Sequence, residues 1–251
     1  MPLSTRQEKI VALYRSHGEL SIAQVMAHFD VAAQTIRRDI NNLCDANMLR
    51  RTHGGARLLA PGANQPYDVR RVRNLEGKAR IGIAAAAMIP SGSTILIGIG
   101  TTPEQAALAL LHHERLTIIT NNLRAALALS TRSTNRVIVP GGCLRQENPD
   151  ILGAEADAVF RGYRADFGLY GVGGIDNDGA LLDYDKEELA SREALMSSCR
   201  QSILLADAWK FSCTPPVRGG SLLLQPLLIT DAPPPEALRD QLTEHTKVVV
   251  A

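Results

Sequence analysis

Long apolar runs, clustered cysteines, internal repeats, low-complexity tracts and a strong net charge are all missing from this chain of 251 residues. No apolar stretch reaches the roughly 20 residues that cross a bilayer, and the run over residues 81–89 reads as a buried helix instead. The first residues carry no basic-then-apolar signal pattern, so a cytoplasmic location is expected. Cys44, Cys143, Cys199 and Cys213 stand far apart and match neither a zinc spacing nor a redox pair. Free thiols in a reducing compartment are expected, with no metal and no cofactor. A net charge of +1 excludes a global basic field. The charge is uneven, however: residues 1–58 sum to +3 and the remainder to −2. A second basic cluster, Arg70, Arg71, Arg73, Lys78 and Arg80, lies next to the first segment. Such asymmetry suits a phosphate-gripping head on a body that need not touch nucleic acid.

What is present begins with residues 33–42. Ile36, Ile40 and Leu43 recur at helical spacing and form one buried stripe. Gln34, Arg38, Asn41 and Asn42 then point away from it, with Thr35 and Arg37 on the flanks. Gln, Arg and Asn supply the donors and acceptors that read base edges in a major groove. Two short amphipathic segments precede this helix. One spans residues 5–16 with Ile10, Leu13 and Tyr14 inward; the other starts after Ser21, a candidate N-cap, with Ile22, Val25, Met26 and Phe29 inward. Residues 48–58 follow as a hairpin with a Gly54-Gly55 tip and basic arms bearing Arg50, Arg51 and His53. Three short helices and a hairpin describe a winged helix-turn-helix, and double-stranded operator DNA is its expected partner.

Arg6, Ile10, the run Gln34-Thr35-Ile36-Arg37-Arg38-Asp39-Ile40 and the wing His53-Gly54-Gly55-Ala56 resemble the DeoR family of bacterial sugar-metabolism repressors. The Thr-Ile-Arg-Arg-Asp run is highly specific to that family. One departure is Ala32, where members usually carry a Ser that would cap the reading helix; losing such a cap costs about 1 kcal/mol.

Residues 59–74 hold two prolines and no periodicity, and read as a linker. Beyond a helical stretch at 76–88, short apolar runs alternate with helical patterns. Strands are expected at 94–97, 116–120, 136–139, 166–170, 202–206, 227–230 and 247–250, and helices at 103–112, 123–130, 154–160, 186–198 and 235–244. Such alternation predicts an α/β domain over 75–251 with a mostly parallel sheet covered on both faces.

Ligands of open α/β sheets gather at the carboxyl ends of the strands, and the small polar residues fall at those ends. Gly98, Gly100, Thr101 and Thr102 follow the first strand and open a helix, an arrangement suited to a phosphate. Thr120, Asn121 and Asn122 end the second strand; Gly141 and Gly142 follow the third, Gly171 and Gly173 the fourth. Arg145 and Lys210 are candidate phosphate partners, surface charge being the other reading. Asp183, Asp185 and Glu187 either bond the hydroxyls of a polyol or cap the helix that starts near Lys186.

The resemblance to the DeoR family extends through this domain, on Gly100-Thr101-Thr102-Pro103-Glu104, Thr120-Asn121-Asn122-Leu123, Gly173-Gly174-Ile175-Asp176, Leu182-Asp183-Tyr184-Asp185 and Thr230-Asp231-Ala232-Pro233-Pro234-Pro235. It implies a sugar-phosphate-isomerase-like sensor for a phosphorylated sugar or polyol, glycerol 3-phosphate foremost, in a homo-oligomer (a dimer or tetramer). Gly98 departs from the family, whose members usually carry Asp there. A sugar-phosphate isomerase with an accessory DNA-binding head is the alternative; its base would come from Asp183, Asp185 or Glu187. Gly98-Ile99-Gly100 does not make a dinucleotide fingerprint, because Pro103 stands where the third glycine belongs.

Overall fold

A helix begins well where its first amides find acceptors, and Ser4 meets that need. Its hydroxyl accepts from Gln7 N while the Gln7 side chain accepts from Ser4 N, opening α1 (Thr5–His17). Ser21 and Gln24 repeat the device at α2 (Ile22–Met26), just after a three-residue strand, β1 (Glu19–Ser21). Next come α3 (Ala33–Asp45), β2 (Leu49–Thr52) and β3 (Gly55–Leu58). The three strands pair antiparallel in the order β1-β3-β2. The computed structural model describes residues 4–45, 48–52, 54–58, 64–242 and 246–251, and the chain divides into two compact units, 1–63 and 64–251.

In the first unit the expected stripes face inward. Ile10, Tyr14, Val25, Ile36, Ile40 and Leu43 are buried with Leu49 and Ala56, and Leu13, Ile22, Met26 and Phe29 pack around them. Burying a side chain of this size contributes about 1.5–3 kcal/mol. Asp39 turns inward too and accepts from Arg6 Nε, tying α3 to α1. The unit is a winged helix-turn-helix. Strand β1, unannounced by any apolar alternation, completes its sheet.

The second unit starts earlier than expected. Residues 59–63 of the anticipated linker lie outside the described residues, but the rest of it includes a helix, α4 (Tyr67–Val72). Tyr67 is buried and its hydroxyl donates to Glu104 Oε2 at 2.9 Å. A single buried aromatic and polar contacts hold α4, so no apolar period announced it. After α5 (Leu75–Ala86) come β4 (Thr94–Ile97), α6 (Thr101–Ala109), β5 (Thr117–Thr120), α7 (Leu123–Ser130) and β6 (Arg136–Ile138). Then follow α8 (Ala154–Arg161), β7 (Ala165–Tyr170), β8 (Gly174–Ile175), β9 (Ala180–Asp183), α9 (Lys186–Ser197) and β10 (Cys199–Leu205). The described unit ends with β11 (Val217–Ser221), β12 (Leu227–Thr230), α10 (Glu236–Arg239) and β13 (Lys247–Val250).

The seven expected strands make one sheet, ordered β13-β12-β10-β7-β4-β5-β6, and every neighbouring pair is parallel. One face is covered by residues of α5, α6 and α7, including Ile81, Ala106 and Leu129. The other takes Phe160 from α8, Ala194 and Leu195 from α9, and Leu238 from α10. Three further strands form a small antiparallel sheet, β11-β9-β8. The helix expected over 235–244 is only the four-residue α10, with residues 243–245 outside the described set.

Close approach of α5 to α6 fixes one wall of this unit. A Cβ on Gly82 would stand 2.6 Å from Gln105 O and 2.9 Å from Ala106 N. Gly82→Ala is therefore expected to cost about 1–3 kcal/mol by overpacking, read as a lower urea midpoint. An unchanged midpoint would contradict that contact.

Candidate functional site

The outward face of α3 is open. Gln34, Arg37, Arg38 and Asn42 are exposed, and Thr35 and Asn41 are half-buried. Arg51, on β2, is exposed and donates to Asn41 Oδ1, which brings wing and helix together. Arg50 shares β2 with Arg51, but its side chain, like all of His53, lies outside the described residues. Ala32 has no side-chain oxygen to cap α3; its carbonyl accepts from Thr35 N and Ile36 N. Burial of Asp39 separates structural from available positions within one motif: Asp39 holds α1, and the arginines before it face outward.

In the second unit, strand order reverses between β4 and β7. Strands β5 and β6 extend the sheet on one side of β4, while β7, β10, β12 and β13 extend it on the other. At such a switch point the connections leave in opposite directions and a crevice opens at the carboxyl ends. Here it is a small cavity, lined from β4 by Ile99, Gly100, Thr101, Thr102 and Pro103 and from β7 by Gly171, Val172 and Gly173. Gly100, at φ 110°, starts α6 without any side-chain cap. The first amides of a helix have no intrahelical acceptor and lie at its positive end, so this end of the cavity suits an anion.

Other walls bring charge. Arg145 Nε and one Nη donate to the two oxygens of Asp150 at 2.5 and 2.9 Å, and its other Nη donates to Glu188 Oε1 at 2.9 Å. Asp183 accepts from Arg192 Nε at 3.1 Å and Nη at 2.8 Å, and from Gly173 N at 3.3 Å. Lys210 and Arg70 differ. Lys210 Nζ donates to the Gly173 carbonyl at 3.3 Å. Arg70 donates to the Gln65 carbonyl and to Asn148 Oδ1. Neither has a carboxylate within ion-pair distance among the described residues. Burial lowers the pKa of both and raises that of Glu188, against the pull of Arg145.

The cavity thus gathers Gly100, Thr101, Thr102, Arg145, Gly171, Gly173, Asp183 and Lys210 of the expected set. Arg145 lines the cavity with its fork donating to the carboxylates of Asp150 and Glu188. Thr120, Asn121 and Asn122 are braces, not lining. Thr120 Oγ1 donates to Ile97 O, Asn121 Nδ2 to Ile151 O and Ser191 Oγ, and Asn122 Nδ2 to the carbonyls of Gly98 and Gly100 while its Oδ1 caps α7. Gly98 lines a smaller neighbouring cavity with Ser191 and Arg192. Gly141 and Gly142 line neither; their loop leads to Arg145 and Asp150. Asp185 caps α9 by accepting from Glu187 N at 2.6 Å, and Glu187 is exposed in the first turn of that helix. Arg70, Asp150, Tyr184 and Glu188 were missed. The signal for Arg70 was its basic cluster, read by sequence proximity as an extension of the head.

Residues 6–61 match the DeoR-like helix-turn-helix domain, and residues 73–232 match the DeoR C terminal sensor domain. The chain belongs to the DeoR family. It is 40% identical over 245 residues to the glycerol-3-phosphate regulon repressor of Escherichia coli (strain K12), covering 98% of this chain and 97% of that one. It is also 40% identical over 251 residues to the protein of the same name from Haemophilus influenzae, covering 98% of it. Among solved structures it is similar to ribose 5-phosphate isomerase A from Methanocaldococcus jannaschii, at 14% identity and a TM-score of 0.40 over 55% of each chain.

Behind the cavity of this DeoR-family chain sits a buried ammonium. Lys78 Nζ donates to the carbonyls of Arg70 and Arg73, at 2.5 and 2.9 Å, and lies 3.9 Å from Asp207. Burial pushes its pKa down to about 8 from the ordinary 10.5, with Asp207 opposing and Lys210, Arg73 and Arg70 adding to the fall. Between those values the unfolded chain keeps a proton that the folded chain has released, so the contribution of Lys78 to stability rises with pH. The unfolding free energy of the parent minus that of Lys78→Met should grow by on the order of 3 kcal/mol from pH 8 to 10.5. A difference that stays flat across this window would contradict the buried charge.

Proposed function

We propose that this chain is a transcriptional repressor whose affinity for operator DNA is set by a phosphorylated sugar or polyol, with glycerol 3-phosphate the foremost candidate. The observation that carries the reading is the switch-point cavity, lined both by the uncapped start of α6 and by a lysine with no carboxylate in ion-pair distance among the described residues. Gly100, Thr101 and Thr102 would hold the phosphate with Lys210, and Asp183 and Glu188 would accept from ligand hydroxyls. Gln34, Thr35, Arg37, Arg38, Asn41 and Asn42 would read base edges, while Arg50, Arg51 and His53 grip phosphates. Helix-turn-helix heads bind in pairs on half-sites about one helical turn apart, which calls for a homo-oligomer. An isomerase reading is less well supported, because Asp150, Asp183 and Glu188 are each committed to an arginine and leave no free carboxylate base among the lining residues.

Two measurements test this. Arg38→Ala should relax sequence choice at one operator position at a cost of about 1–3 kcal/mol, whereas Arg51→Ala should weaken all duplexes alike and reduce the salt slope by about 1. Equal binding of the parent to its own promoter and to random duplex at physiological salt would overturn the DNA reading. Glycerol 3-phosphate at 100 times its dissociation constant should stabilise the chain by about 2.7 kcal/mol, and Lys210→Met should remove most of that shift. Absence of stabilisation by any small phosphorylated polyol would overturn the effector reading.

A further inference from the structure

The second unpaired cation of the cavity comes from outside the sheet's own loops. Arg70 stands on α4, and the chain reaches α4 directly from the stretch that links the two compact units. Its guanidinium lines the cavity, yet its described hydrogen bonds go to neutral oxygens: Nε donates to the Gln65 carbonyl at 2.9 Å and an Nη to Asn148 Oδ1. Gln65 is held a second time, its side-chain oxygen accepting from Arg73. The helix itself is fastened elsewhere. Tyr67 and Arg71 engage the two oxygens of Glu104, in the first turn of α6, and Lys78 holds the carbonyls of Arg70 and Arg73. So the backbone of Arg70 is pinned from behind while its side chain is satisfied by two neutral oxygens, of Gln65 and Asn148.

We propose that Arg70 is an effector-binding residue, and that the oxyanion of the ligand takes its guanidinium from the Gln65 carbonyl, so that occupancy of the cavity is registered in the segment leading to the DNA-binding unit. This rests on the phosphate reading of the cavity. The guanidinium is charged with either acceptor, but only an oxyanion adds charge pairing and can accept from its fork in a bidentate manner. An anion at the α6 amides therefore competes well with Gln65. Release of that carbonyl frees residues 64–66 at their Arg70 anchor, and leaves α4 docked through Glu104 and Lys78. Because linkage is reciprocal, any factor by which ligand changes operator affinity equals the factor by which operator changes ligand affinity.

The test uses the full chain, glycerol 3-phosphate as probe, and three readouts: calorimetric affinity, operator affinity with and without saturating probe, and amide hydrogen exchange at Asn64 and Gln65. In the parent, probe should bind, change operator affinity and speed exchange at Asn64 and Gln65. Arg70→Gln should weaken probe binding at least tenfold, bring the operator ratio towards one and abolish the exchange response. Arg70→Lys, which keeps the charge without the fork, covers the case of a misfolded Arg70→Gln and should show an intermediate loss. Probe binding within twofold of the parent in a folded Arg70 variant, or exchange at Asn64 and Gln65 that ignores the probe in the parent, would overturn the inference alone. A parent that binds neither glycerol 3-phosphate nor inorganic phosphate would overturn the phosphate reading and this inference with it.

Discussion

The reversal of strand order between β4 and β7 is the constraint on which the second unit depends. A parallel sheet must send each connection over one face or the other, and where the direction changes no connection covers the strand ends. Ile97 and Leu169 stand abreast at that point, so the turns after both strands open into one crevice. Gly100 then starts α6 with no capping side chain, which leaves backbone donors at its mouth. The crevice follows from topology. Its polarity follows from an absent cap.

Charge within the crevice is arranged by pairing. Buried carboxylates are costly unless matched, and here Asp150 and Glu188 share Arg145 while Asp183 takes Arg192. These pairs shape the walls, and three carboxylates on two guanidiniums leave them one negative charge. Among the described residues, Lys210 and Arg70 donate to carbonyl and amide oxygens and to no carboxylate. Burial lowers the pKa of both cations, with carboxylates nearby but none within ion-pair distance among the described residues, and an incoming anion relieves that cost. On the first unit the logic is reversed: Arg37 and Arg38 keep their charge in solvent, and the one buried carboxylate of the motif, Asp39, is spent on holding α1.

Much of this was legible in the sequence because apolar periodicity reports burial directly. All seven strands of the parallel sheet stood out as short apolar runs, and Ile36, Ile40 and Leu43 fixed which face of α3 is free. The strand-end rule then located the glycine turns of β4 and β7. What escaped lacked a local signal. Strands β8, β9 and β11 pair segments that are up to about 40 residues apart, and β8 is two residues long within a glycine turn. Asn121, Asn122 and Thr120 have the side chains of ligand contacts, but their acceptors are remote in sequence, on β4, α9 and the turn after β4, and no spacing announces them. Arg145 was recognised as a cation near a strand end; its two carboxylate partners, at positions 150 and 188, decide its role. Arg70 failed the other way, since closeness in sequence to the head hid its closeness in space to the cavity.

A crystal structure of the chain grown with glycerol 3-phosphate tests the central claim most directly. The account predicts phosphate density within hydrogen-bond distance of the Gly100, Thr101 and Thr102 amides and of Lys210 Nζ, at the carboxyl ends of β4 and β7. Phosphate bound away from that crevice, with those amides in contact with solvent alone, would contradict it.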